Sequence, residues 1–145
     1  MSVRDIMTTE IVTVPVEETL QETVSRMLAN RVGSVVVERT GEPVGIVTET
    51  DVLAVGSTFE RPFEEIPVSR AASENLVTTA PDTSIEAAIG LLHDHGIKKL
   101  PVVDGDDLVG IVTLTDLVYH RHDLAEEAKK LERRRKDDDR VNPDA

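Results

Sequence analysis

Twice in the chain a glycine leads through Ile-Val-Thr-x-Thr to an aspartate, at Gly45 to Asp51 and at Gly110 to Asp116. Each run passes from apolar, extended residues into a pattern that opens a helix. At such a junction unpaired backbone N–H groups and the positive end of the helix favour anionic or oxygen-rich ligands. Hydroxyls two residues apart, Thr48 with Thr50 and Thr113 with Thr115, can reach phosphate or sugar oxygens. The carboxylate of Asp51 or Asp116 can accept both hydrogens of a vicinal diol such as a ribose offers. The same residues fit a second role, because Thr48-x-x-Asp51 and Thr113-x-x-Asp116 each have the spacing of a helix-capping box. The residues alone leave both readings open.

A second feature is electrostatic. Among residues 1–122 the lysines are Lys98 and Lys99, adjacent and just after Gly96. They either meet a phosphate or neutralise nearby acids such as Asp94. If they open a strand, their side chains leave on opposite faces, so at most one enters a given cleft unless the strand starts irregularly. The corresponding residues of the first copy, Gly33 and Ser34, offer space and a hydroxyl but no charge. His93 and His95, like His120 and His122, are two apart, which on a helix turns the rings about 200° from each other and prevents shared ligation of a metal. No metal site is expected. No Ser, His and acid arrangement clusters, and nothing marks a catalytic carboxylate pair, so an enzyme is not expected either. With no cysteine, thiolate catalysis, zinc–thiolate sites and disulfides are excluded.

The elements that must position these groups come in two copies. Val44–Asp51 recurs as Val109–Asp116, 65 residues later, and the offset holds without a gap. Leu20 falls on Ile85, Val24 on Ile89, Met27 on Leu92, Val32 on Ile97 and Val37 on Val102, apolar for apolar. Each copy reads as strand, helix, strand, strand, helix. A short extended segment (Ile11 to Val14; Leu76 to Thr79) precedes a helix opened by Glu17-Glu18-Thr19 or Asp82-Thr83-Ser84 and ending near Asn30 or His95-Gly96. Val35 to Val37 and Leu100 to Val103 read as buried strands, with Thr40-Gly41-Glu42 and Asp104-Gly105-Asp106 as hairpin turns. The second helix begins at Thr-x-Thr-Asp. Two copies that each need to bury an apolar face pack most simply on one another. The expected organisation is a first copy over residues 1–60, a second over 61–124, and a charged tail over 125–145. Gly56 to Pro67 reads as an ordered linker, the Glu and Lys/Arg pairs of the tail support a solvated helix, and the residues beyond Lys136 read as disordered.

Length and composition fit one domain: 145 residues, 39% hydrophobic, with Phe59, Phe63 and Tyr119 as the aromatic residues. The core must therefore be aliphatic. The formal net charge of −12 opposes a phosphate backbone or an anionic membrane. Residues 1–122 hold 20 acids against nine bases, so the excess sits in the repeats. High acid with almost no lysine suits concentrated salt, though an ordinary acidic cytoplasmic protein has the same balance. No apolar run approaches the ~20 residues that cross a bilayer, and no basic region and apolar run mark a leader, so a cytoplasmic location is expected.

These motifs resemble the CBS domain family, named for cystathionine beta-synthase, in tandem form. The match covers residues 3 to about 122 and includes Val3-Arg4-Asp5-Ile6-Met7-Thr8, Pro101-Val102-Val103-Asp104 and both Gly-Ile-Val-Thr-x-Thr-Asp endings. The resemblance implies an α+β fold in which two repeats form one pseudo-two-fold module with clefts between them, and two modules commonly form a homodimer. It also implies an adenosine ligand: AMP, ADP, ATP or S-adenosylmethionine, bound as a regulator with no cofactor required. In the first implied cleft Asp116 takes the ribose, Thr113 and Thr115 reach ribose or phosphate, and Lys98 and Lys99 meet the phosphates. Val32, Gly33 and Ser34 surround the base, with Asp5 and Glu10 nearby. In the second, Asp51, Thr48 and Thr50 are joined by Arg70, Asn75, Ile97 and Lys98. Because Gly33 and Ser34 carry no cation and Ser69-Arg70-Ala71-Ala72 lacks the Asp-Ile-Met pattern, the Asp116 cleft is expected to be the stronger site. The competing function is a ligand-free module that dimerises or docks on another protein, with the tail as contact element.

Overall fold

The computed structural model describes the backbone of residues 1–73 and 75–141, without the side chains of 121–125, 127, 128 and 135–141. The first repeat comprises β1 (Thr13–Pro15), α1 (Leu20–Asn30), β2 (Ser34–Arg39), β3 (Glu42–Thr48) and α2 (Glu49–Thr58). The second comprises α3 (Ile85–His95), β4 (Lys99–Asp104), β5 (Asp107–Thr113) and α4 (Leu114–Val141). The fold is α+β, as expected.

Local chemistry sets these bounds. Thr19 and Ser84, 65 residues apart, cap α1 and α3 by accepting the N–H groups of Glu22 and Ala87. Both helices end in a left-handed residue, Gly96 at φ 63° and Arg31 at φ 55°. Glycine takes that conformation without steric cost, whereas Arg31 pays for its Cβ. The hairpins β2–β3 and β4–β5 share one register, with an irregularity after Val37 in the first and after Val102 in the second.

The copies differ in their first strand. β1 pairs in parallel with β2, joining Thr13, Val14 and Pro15 to Val36, Val37 and Glu38. The strand expected over Leu76 to Thr79 shrinks to a single bridge between Thr79 and Val102. Proline is the cause. In the first copy Val36 donates its N–H to Val12 (3.0 Å) and Val16 donates to Glu38 (2.8 Å). The equivalent donors in the second copy are Pro101 and Pro81, which have no N–H to give.

Each repeat has its own aliphatic core, but each core is completed by the segment that precedes the other repeat. Val3 packs with Ile85, Ala88, Leu92, Leu100, Val102, Val112 and Leu117, while Val68 packs with Val14, Met27, Val35, Val37 and Val47. Bridges between Thr8 and Ile111 and between Ser73 and Ile46 carry the exchange across the hairpins. Glycine permits these crossings, since a Cβ on Gly45 would lie 2.8 Å from the Ser73 carbonyl oxygen and one on Gly110 would meet the Met7 side chain. With β3 against β5 at the centre, the result is one pseudo-two-fold module. A boundary at residue 60 separates the copies in sequence but not in packing.

The chain beyond the second repeat departs from expectation. α4 continues as helix to Val141, past Lys136 where disorder is predicted. Residues 142–145 lie outside the described residues.

Candidate functional site

The N-terminus of α2 opens on a cavity of about 520 Å³ whose walls come from both repeats. Thr48, Glu49, Thr50 and Asp51 line one side. Ser73, Asn75, Leu76 and Val77, and the run from Gly96 to Lys99, line the other, with Gly33 and Ile46 completing the enclosure. The volume falls in the range of small-molecule sites.

The capping and binding roles of Asp51 coexist, because its two oxygens do different things. Oδ2 accepts from the Thr48 N–H at 2.8 Å and from the Thr48 hydroxyl at 3.0 Å, while Thr48 Oγ1 accepts from the Asp51 N–H at 3.3 Å. This closes a capping box. Oδ1 accepts no hydrogen bond among the described residues, and Asp51 lines the cavity. In the second copy only half the box forms. The Asp116 N–H donates to Thr113 Oγ1 at 3.2 Å, and among the described residues the carboxylate makes no bond back.

Lys98 and Lys99 stand at this same cavity, with Asp51 rather than with Asp116. Within their own repeat Lys99 pairs with Thr113 and the Lys98 carbonyl accepts from the Leu114 N–H, and both lysines line the cavity that the first copy's aspartate shares. The residues 65 positions earlier, Val32 to Ser34, carry no cation, and none of them lines the cavity at Asp116. Neither lysine side chain forms an ion pair or hydrogen bond among the described residues. Lys99 lies over Gly33, its Nζ 3.2 Å from where a Cβ would stand.

Of the residues expected at the Asp51 cleft, Thr48, Thr50, Asp51, Asn75, Ile97 and Lys98 are brought together, and Arg70 is not. Of those expected around Asp116, Lys98, Lys99 and Gly33 line the Asp51 cavity instead. Asp116 and Thr115 line a separate, more open cavity of about 410 Å³ with Ile6, Tyr119 and His120. Thr113, Val32, Ser34, Asp5 and Glu10 are on the wall of neither. Sequence reasoning missed Ile46, Glu49, Ser73, Leu76, Val77 and Gly96 as lining residues. Leu76 and Val77 read as strand residues in the sequence, but like their equivalents Ile11 and Val12 they lie outside the strand, and they line the cavity.

No helix among the described residues is long and apolar enough to cross a membrane, and no group of metal-ligating side chains is found among them. Residues 3–57 and 66–123 each match the family model of the CBS domain. The CBS domain-containing protein YhcV of Bacillus subtilis is 39% identical over 120 residues, 83% of this chain and 85% of YhcV. An uncharacterized conserved protein from Pyrococcus horikoshii superposes with a TM-score of 0.74 at 29% identity, over 83% of this chain and 91% of that one. The CBS domain pair of protein MJ0100, solved with 5′-methylthioadenosine and S-adenosyl-L-methionine, gives a TM-score of 0.74 at 20% identity over 84% of this chain and 96% of that one, a likeness of fold. With both repeats matched and arranged as one module, the chain belongs to the CBS domain family as a tandem pair.

Proposed function

We propose that this CBS pair is a regulatory module rather than an enzyme, and that it binds an adenosine ligand in the cleft beside Asp51. The observation that carries the reading is the meeting, in one cavity of about 520 Å³, of an aspartate with one oxygen left over from helix capping, two threonines and two lysines that are unpaired among the described residues. The free oxygen of Asp51 accepts from the ribose, the Thr50 hydroxyl reaches sugar or phosphate oxygens, Thr48 holds Asp51 in place, and Lys98 and Lys99 attract the phosphate. Ile46, Leu76, Val77 and Ile97 supply an apolar wall for the base. The adenosine compounds of the MJ0100 pair support this chemistry for the fold. The more open cavity at Asp116, without lysines, is the weaker of the two.

Because the cleft has walls from both repeats, a ligand that binds one relative arrangement better than another shifts the balance between them. A protein that reads the shift is the regulated partner. A second copy of the chain is the other partner proposed, since the outward faces of α2 and α4 leave Leu53, Val118 and Tyr119 more than half exposed.

Thermal unfolding with AMP, ADP, ATP and S-adenosylmethionine tests the reading. A ligand at 100 times its Kd adds about 2.7 kcal/mol, a rise in Tm of roughly 5–11 °C for a chain of this size. Asp51→Ala should abolish the rise. A melting point unmoved by every compound rejects adenosine sensing.

A further inference from the structure

The cleft contains a charge that the adenosine reading does not use. Glu49 opens α2 and lines the cavity beside the lysines. Its Oε1 lies 3.1 Å from the point where a Cβ on Gly33 would stand, and Lys99 Nζ lies 3.2 Å from the same point. The two charged ends thus flank one glycine, which makes room for both, and they form no ion pair among the described residues.

The repeat shows that this carboxylate is not demanded by the fold. The residue 65 positions on is Leu114, which begins α4 without a charge. An acid in a first turn does favour the helix dipole, and that plain role is the one to be separated by experiment. With Asp51 given to the sugar, the phosphate end of the cleft consists of Lys98 and Lys99 opposed by Glu49. This leaves a small positive surplus inside repeats that are strongly acidic.

We propose that Glu49 is a specificity-determining residue which limits the negative charge the cleft accepts, favouring an adenosine ligand with one phosphate over one with a polyphosphate tail. The inference rests on the adenosine reading and deepens it. A monophosphate brings a charge of about −1.5 to −2, and the lysine surplus beside Glu49 offsets a large part of it. Each further phosphate adds negative charge with no further cation to meet it, and Glu49 repels it at short range. A neutral amide at position 49 removes the repulsion and keeps the shape.

The test is titration calorimetry of AMP and ATP, in metal-free buffer so that no cation masks the polyphosphate, against the full chain, Glu49→Gln and Glu49→Leu. The unaltered protein is expected to bind AMP more tightly, and both variants to improve ATP binding relative to AMP by on the order of tenfold, less in high salt. If both ligands bind but the ratio is the same in all three proteins, Glu49 serves only the helix, and the inference is overturned while the adenosine reading stands. If the unaltered protein binds neither ligand, both fall together.

Discussion

The main-chain N–H of Val3 donates to the carbonyl oxygen of Thr83 at 2.9 Å, and the same bond, 65 residues on, runs from Val68 to Glu18 at 2.9 Å. The two repeats are therefore held by exchanged segments, each passing under the other's core. A ligand between the repeats acts on a joint made of these two straps and the β3–β5 contact. The exchange also explains how two small aliphatic cores, with few aromatic residues, make one stable body.

This geometry predicts a crossed pattern of damage. Val3 and Val68 are fully buried, so replacing either by alanine should cost about 2 kcal/mol. Hydrogen exchange should show Val3→Ala loosening β4 and β5, and Val68→Ala loosening β2 and β3. Damage confined in each case to the repeat that contains the substitution would refute the exchange.

The unequal capping at the two aspartates leads to a second prediction. Asp51 closes its box with both the N–H and hydroxyl of Thr48, whereas the Asp116 carboxylate returns no bond to Thr113. In the absence of ligand, Asp51→Ala should therefore destabilise by about 1 kcal/mol and Asp116→Ala by less. Urea unfolding of the two variants measures the difference. Equal losses would mean that the capping asymmetry has no energetic weight. The comparison also calibrates the ligand experiments, because it separates the structural cost of losing Asp51 from the loss of binding.

Much of this fold is legible in the sequence because its determinants are local. Thr19, Ser84 and Gly96 mark helix ends by their own chemistry, and the 65-residue offset lets each copy check the other. The shortening of the second copy's first strand is also written in the chain, as Pro81 and Pro101 at the two donor positions, but it emerges only when donors are counted bond by bond. The exchange of Val3 and Val68 is not written locally at all, since a three-residue turn has no periodicity to say which core it completes. Only the packing of the two repeats brings Lys98 and Lys99 to the cavity that Asp51 lines. A reading along the chain groups them instead with Asp116, their neighbour within one repeat. Glu49 escaped notice for a similar reason: in sequence it is a first-turn acid, and only Gly33 and Lys99, brought from elsewhere, give it an electrostatic role.

The long final helix supports a last prediction, which separates ligand sensing from association through the tail. The start of α4 is anchored in the second core by fully buried Leu117, and the helix packs on α3. Further along, the described residues from Glu126 to Arg134 are exposed, Leu131 among them at 58%. The ion pair of this stretch, Lys129 with Glu126 at 3.8 Å, joins neighbours within the helix. Such an exposed pair contributes a few tenths of a kcal/mol. Ending the chain after Ala125 should thus change the stability of the module by less than about 0.5 kcal/mol and leave the AMP-induced rise in Tm intact. Helical circular dichroism should fall with the missing turns. If light scattering shows an oligomer of the full chain that the shortened chain cannot form, the exposed helix is an association element working beside the adenosine cleft. If the shortened chain instead loses the thermal response to AMP, the helix is part of the sensing unit, and the assignment of binding to the two repeats alone is wrong.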